Sequence, residues 1–208
     1  MQSNWAAEHL LVIRTLMERS AIYRRALAPI VLLLGVLGLV AACLGWMLHV
    51  ETPHAIVEYW SGVGLVGISA AYLMTRQQAL KDAESFWSAP TRRVTQALLP
   101  PLFVGFVSST VAACLPNDEA SPAWWIIPLW MVLYGCAVHA AGFFMPRGMK
   151  LFGWVFILAA CLVAASLRLG SNIALFPAAH LVMGGAFGGL HLAYGLYLYF
   201  TEKRKNEP

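Results

Sequence analysis

Charged side chains are scarce in this sequence. Only 24 of its 208 residues are Lys, Arg, Asp or Glu, which is 12%, against roughly 25% in a typical soluble domain. Apolar and aromatic residues together make up 60%. A soluble fold of this size needs more polar surface. The composition therefore excludes a soluble enzyme domain, a disordered chain and a secreted disulfide scaffold, and it indicates a membrane protein.

Polar interruptions are also missing from six long stretches of the chain. A helix needs about 20 apolar residues to cross the hydrocarbon core of a bilayer. The stretches near this length are 26–49, 57–75, 94–114, 123–145, 151–167 and 178–200. None of them alternates apolar and polar residues as a barrel strand does, and backbone groups in lipid must be paired within the segment. The sequence therefore predicts an all-α integral membrane protein, a six-transmembrane-helix bundle.

Positive charge is nearly absent from one side of this predicted bundle. Thirteen of the 14 basic residues lie before the first span, in the second and fourth connections, or after the sixth span, and Arg168 alone falls on the other side. By the positive-inside rule, both termini are predicted to be cytoplasmic, in the inner membrane of a bacterium. Because the topology accounts for the net charge of +4, we expect no nucleic-acid partner.

The segments outside the spans carry interfacial signals. Residues 1–25 are too charged for a cleavable signal, and their periodicity predicts an amphipathic helix at the membrane surface, with Trp5 on its apolar face. Trp87, Arg92 and Arg93 are predicted to anchor the second connection among the lipid headgroups. Residues 201–208 form a basic cytoplasmic tail. The lipid bilayer is thus the first predicted partner.

Groups that carry chemistry are missing from the span centres. No Asp, Glu, Lys or Arg lies in the middle of any span, although ion-coupled transport and intramembrane proteolysis usually need such groups. The four cysteines form no CxxC pattern that would indicate a redox site. The sequence nominates no catalytic residue, and it leans away from an enzyme without deciding the question.

Three histidines remain within the spans, and two of them are candidate ligands. His139 and His191 lie about 24 and 20 Å below the outer ends of spans four and six, at 1.5 Å per residue. If these spans are neighbours, the two imidazoles could hold haem b or a metal ion. The alternative is that each histidine, like His180, forms a hydrogen bond to a neighbouring helix.

The first outer connection offers a second possible metal site. His49, Glu51, His54 and Glu58 combine two imidazoles with two carboxylates, which are zinc or copper ligands. Their spacing matches no specific metal motif. Solvated loop residues are the competing interpretation.

Glycine distinguishes the sixth span. Gly184 and Gly188 form one GxxxG pair, and Gly185 and Gly189 form an overlapping one. Such pairs remove side chains so that another helix can approach closely. They predict either packing within the bundle or a homodimer through the sixth helix.

These observations favour a non-enzymatic accessory subunit or membrane-embedded regulator. It would act through helix–helix contacts and through its cytoplasmic face, with a cytoplasmic or membrane protein as partner. A haem- or metal-binding redox protein is the second hypothesis, and a small-solute permease is the third.

Overall fold

The chain is all-helical in the residues that the structure describes. The computed structural model describes residues 9–13, 27–83, 85–117, 122–145, 148–168 and 175–206, and no strand occurs among them. Residues 9–13 are helical and expose Leu10 and Ile13. The remainder of the predicted N-terminal helix, with Trp5, lies outside the described residues.

Within the described parts of the chain, six helices are long and apolar enough to cross a membrane, as the sequence predicts. Five of them are α1 to α5, and the sixth consists of α6, a π-helical segment and α7 in direct succession. Their bounds are Ala28–Met47 (α1), Pro53–Lys81 (α2), Ala89–Ala112 (α3), Ile126–Ala141 (α4), Met149–Arg168 (α5), Leu175–Met183 (α6), Gly184–Leu190 (π) and His191–Asn206 (α7). A 3-10 turn, Pro122–Trp125, leads into α4.

Proline and threonine explain where helices begin. Proline stands in the first turn of α1, α2 and α3, where the fixed φ suits a helix and the missing N–H is not needed. Thr52 caps α2, because its hydroxyl accepts a hydrogen bond from the backbone N–H of Ala55 at 3.3 Å. This cap removes one unpaired donor from the helix start.

The helices pack as two close groups. Helix α4 lies against α3 and, most extensively, against α5, while α1 lies along the whole sixth helix. Glycine permits both approaches. A Cβ atom at Gly135 of α4 would stand 2.8 Å from the carbonyl oxygen of Gly153 on α5. A Cβ atom at Gly38 of α1 would stand 2.6 Å from the carbonyl oxygen of Phe187.

The π segment adjusts the sixth helix to α1. Neighbouring positions pair along the seam from Gly45 with His180 to Leu32 with Gly195. Between these two contact pairs there are 13 residue steps on α1 but 15 on the sixth helix. A π turn holds more residues than an α turn, so it takes up the excess. The segment Gly184–Leu190 therefore keeps both halves of the sixth helix against the same face of α1.

Candidate functional site

A tyrosine–histidine pair, with the tyrosine half-buried and the histidine buried, lies between α4 and the sixth helix. Tyr134 is at the middle of α4, and His191 is the first residue of α7. The phenol oxygen lies 2.6 Å from Nε2 of His191, a short hydrogen bond. Only 2% of His191 is exposed. Because a buried polar side chain is costly without a partner, each residue stabilises the other.

Aromatic rings enclose this pair on several sides. The ring of Phe187 stacks beside His191 with centroids 6.2 Å apart, and Phe152 and Phe156 of α5 present their edges at 5.2 and 5.4 Å. These rings bridge the two close groups of helices: α5 belongs to one, and Phe187 belongs to the other. We call Tyr134, Phe152, Phe156, Phe187 and His191 the aromatic cluster.

The second ring nitrogen of His191 faces the π segment. Nδ1 is buried near the backbone of Ala186 and Phe187, and no hydrogen bond of good geometry forms there. π turns occur frequently at functional sites. The pair holds α4 and the sixth helix together through one short hydrogen bond. Around this pair, the described side-chain contacts are with the rings of Phe152, Phe156 and Phe187.

His139 does not join His191. Its Nδ1 donates to the carbonyl oxygen of Lys150 at 3.3 Å, and its ring packs against Trp154. Trp154 lies two residues from both Phe152 and Phe156, which places it about 160° from either on α5. His191 is instead level with Tyr134, five residues before His139 on α4. The two imidazoles thus contact different faces of α5.

The residues do not fit an axially ligated haem. Nε2 of His191, the atom that would bind iron, is hydrogen-bonded to Tyr134, and the ring is enclosed by phenylalanines. His139 lies too far around α5 to supply an opposite ligand. The predicted pairing used only distance from a span end, which gives neither the rotation of a helix nor the true start of a span.

His180 is fully hydrogen-bonded at the other end of the sixth helix. Its Nε2 donates to the carbonyl oxygen of Val50 at 2.9 Å, and its Nδ1 accepts from the indole of Trp60 at 3.3 Å. Gly45 makes room for the ring, which a Cβ atom there would meet. His180 therefore joins three elements: the sixth helix, α2 and the turn after α1.

The four residues of the predicted metal site, His49, Glu51, His54 and Glu58, do not come together. His49 and Glu51 form an exposed pair at 3.3 Å. His54 is engaged elsewhere, because its Nε2 donates to the carbonyl oxygen of Leu115 at 2.6 Å. Glu58 is exposed on α2. Across the described parts of the chain, no group of three or more His, Cys, Asp or Glu is placed to hold a metal ion.

The two glycine pairs of the sixth helix face different surroundings. A Cβ atom at Gly184 would meet Ala42, and one at Gly188 would stand 2.8 Å from the backbone nitrogen of Leu39. Helix α1 therefore already occupies the space beside Gly184 and Gly188. A Cβ atom at Gly185 would meet nothing within 4 Å, and one at Gly189 would meet only the carbonyl oxygen of Gly184, at 4.0 Å. The second pair is open.

The remaining predicted residues lie at the connection between α2 and α3. Trp87 is 56% exposed and lies two residues before the start of α3, whose first turns carry Arg92 and Arg93. Trp5, the fourth predicted anchor, lies outside the described residues.

Tyr134 is the functional candidate that the sequence analysis missed. It stands at the centre of the predicted span 123–145, whereas tyrosine in membrane helices concentrates at the interfaces. A buried phenol also usually finds a hydrogen-bond partner. Its position in the span is the signal by which it could have been paired with a histidine.

Comparison with protein families, with curated proteins and with solved structures finds no match to this chain. The functional argument therefore depends on the geometry of the aromatic cluster and of the two glycine pairs.

Proposed function

We propose that this chain is a six-span protein of the bacterial inner membrane, with both termini in the cytoplasm. It acts as a non-enzymatic accessory subunit or regulator that binds another membrane protein. The basic residues support this orientation, since 13 of 14 lie on one side of the spans. The N-terminal segment, whose residues Leu10 to Ile13 are exposed and apolar, then lies at the cytoplasmic membrane surface.

The open glycine pair carries the proposal of a binding role. Gly185 and Gly189 lie on a face of the sixth helix where Leu181 and Leu196 are 65% and 49% exposed. In lipid, helices associate through close van der Waals packing at small residues. This face therefore suits another transmembrane helix, from a partner protein or from a second copy.

The use of the buried polar residues supports the same role. Among the described residues, three of the four buried polar side chains join different helices: Ser109 with Trp130, His180 with Trp60, and His191 with Tyr134. The fourth, Thr91, forms a local hydrogen bond with Ser88 at the start of α3. Such groups mark substrate or ion pathways when they face a cavity. Here they stabilise the fold, which favours a protein that works through its outer surfaces.

We expect Gly185→Leu to abolish assembly without unfolding the bundle. The added side chain projects into open space, so the fold keeps its stability while another helix is held away from the seam. Affinity capture in mild detergent, followed by identification of bound proteins, measures the assembly. A co-purifying membrane protein supports the accessory role, whereas capture of an untagged copy by a tagged copy of this chain alone supports only a homodimer through the same face.

Two glycines supply matched controls for that experiment. Gly62→Leu also adds a side chain in open space, but on α2, and it is expected to keep the partner. Gly184→Leu inserts the side chain against Ala42 of α1 and is expected to destabilise the bundle itself. Capture of no membrane partner by the unmodified chain, or retention of the partner by Gly185→Leu, contradicts the proposed binding face.

The orientation has a separate test. In a variant without the four native cysteines, we expect Glu51→Cys to react with a membrane-impermeant maleimide added to intact spheroplasts. Gln77→Cys, exposed near the other end of α2, is expected to react only after the membrane is opened. The reverse pattern would place both termini outside the cytoplasm.

A further inference from the structure

The connection between α2 and α3 folds back along α2. Ala83 adopts a left-handed φ of 51°, which reverses the chain after the helix ends. The ring of Phe86 then packs against Tyr72 of α2, with centroids 5.3 Å apart, and Trp87 stacks on Phe86 at 6.1 Å. Phe86 and Trp87 are thus brought back to the level of Tyr72. Tyr72 lies nine residues before the last residue of α2, or about 13 Å along the helix axis.

The lengths of α2 and α3 place Tyr72 at the same height in the bundle as Arg92. Tyr72 is 19 residues from Pro53 at the start of α2, or about 28 Å. Arg92 is 20 residues from Ala112 at the end of α3, or about 30 Å. Both distances match the ~30 Å thickness of the hydrocarbon core. In the orientation proposed above, Tyr72 and Arg92 therefore lie where the core meets the cytoplasmic headgroups.

Basic and aromatic side chains share this height. Arg76 stands four residues after Tyr72, on the same face of α2 and towards the cytoplasm. Arg76 and Arg92 are exposed, and neither forms an ion pair with a described acidic residue. Half of Tyr72 and 56% of Trp87 are also exposed. We call Tyr72, Arg76, Phe86, Trp87 and Arg92 the aromatic–arginine surface.

We propose that the aromatic–arginine surface binds an anionic phospholipid of the cytoplasmic leaflet. The two guanidinium groups hold the phosphate by charge-assisted hydrogen bonds, and the rings pack on the glycerol and upper acyl region, where tyrosine and tryptophan are favoured. The exposed Ile68, one turn before Tyr72 on the same face of α2, and Leu99, two turns after Arg92 on α3, continue the apolar surface from the rings towards the bilayer core. A soluble phosphate would gain nothing from this apolar continuation, so the occupant is a lipid.

Native mass spectrometry of the purified, delipidated full chain tests the proposal. Titration with phosphatidylglycerol is expected to give tighter binding than titration with phosphatidylcholine. Each of Arg76→Gln and Arg92→Gln is expected to weaken phosphatidylglycerol binding about fivefold, since one basic residue near an anionic surface contributes about that factor. Arg76→Lys and Arg92→Lys keep the charge and are expected to keep most of the preference.

Lys150→Gln is the matched control, because Lys150 is basic and on the same predicted side but lies in the first turn of α5. It is expected to leave phosphatidylglycerol binding unchanged. Equal loss with Lys150→Gln would reveal only a general positive surface, and equal affinity for the two lipids would overturn the proposal. So would displacement of the lipid by inorganic phosphate at concentrations comparable to that of the lipid.

The titration separates this inference from the proposed function. The inference uses the proposed orientation, but detergent leaves both ends of the protein accessible. The partner face is elsewhere, so Gly185→Leu is expected to bind phosphatidylglycerol as the unmodified chain does. Loss of the partner with normal lipid binding contradicts only the assembly, and normal assembly without lipid preference contradicts only the lipid site.

Discussion

Replacing Gly38 with alanine is expected to lower the free energy of unfolding by about 2 kcal/mol, as overpacking of a well-packed contact does. The new Cβ atom would stand 2.6 Å from the carbonyl oxygen of Phe187 and 2.7 Å from the backbone nitrogen of Gly188. Backbone atoms cannot turn away as the end of a flexible side chain can. Helix α1 must therefore separate from the sixth helix along their seam. Loss of helicity in mixed detergent and SDS micelles measures the effect.

Gly62→Ala provides the control with the opposite sign. A Cβ atom at Gly62 meets nothing within 4 Å, so the change adds only helix propensity, about 0.5–1 kcal/mol in favour of the folded state. If both alanine variants shift stability in the same direction, the close approach of α1 to the sixth helix is contradicted.

Removing the His191 ring is expected to give the second large effect. His191→Ala leaves a cavity within the aromatic cluster and an unpaired Tyr134 hydroxyl, and we expect a loss of roughly 3 kcal/mol. Tyr134→Phe removes only the hydroxyl. It leaves Nε2 of the buried imidazole without its partner, which is expected to cost about 1–2 kcal/mol. Unfolding in the same mixed micelles measures both variants.

A double-mutant cycle isolates the hydrogen bond itself. The cycle uses His191→Leu and Tyr134→Phe, singly and together. Because the double variant leaves neither polar group unpaired, its loss of unfolding free energy is expected to be about 1 kcal/mol smaller than the sum of the losses in these two single variants. His139→Ala serves as the reference, because His139 is only partly buried and is expected to cost less than 1 kcal/mol. Additive losses in the cycle would show that the short Tyr134–His191 contact contributes no interaction energy.

The helices themselves followed from the sequence. Each predicted span coincides with one of the six apolar helices, because apolar length and the need to pair every backbone group are local properties. The bounds were less accurate. Helix α2 runs over Pro53–Lys81 rather than 57–75, since Arg76, Gln77 and Gln78 are good helix formers although they are not apolar.

The candidate sites followed from the sequence only in part. Residue type drew attention to His191 and to the glycines of the sixth helix, because buried imidazoles and GxxxG pairs are uncommon enough to need a reason. Composition could not tell which pair faced α1, since Gly184 and Gly185 are adjacent and differ only in direction. Nor could it supply Tyr134 in place of His139 as the partner of His191.

The scarcity of charge, with its one-sided basic residues, determined the number of apolar helices and predicted their orientation. Both depend on how a segment of about 20 residues interacts with its solvent. The tertiary structure decided the pairing of Tyr134 with His191, the filled and open glycine faces, and the return of Phe86 to Tyr72. These depend on helix rotation and on the π segment Gly184–Leu190. Rotation is set by packing between residues far apart in the chain, which no local pattern records.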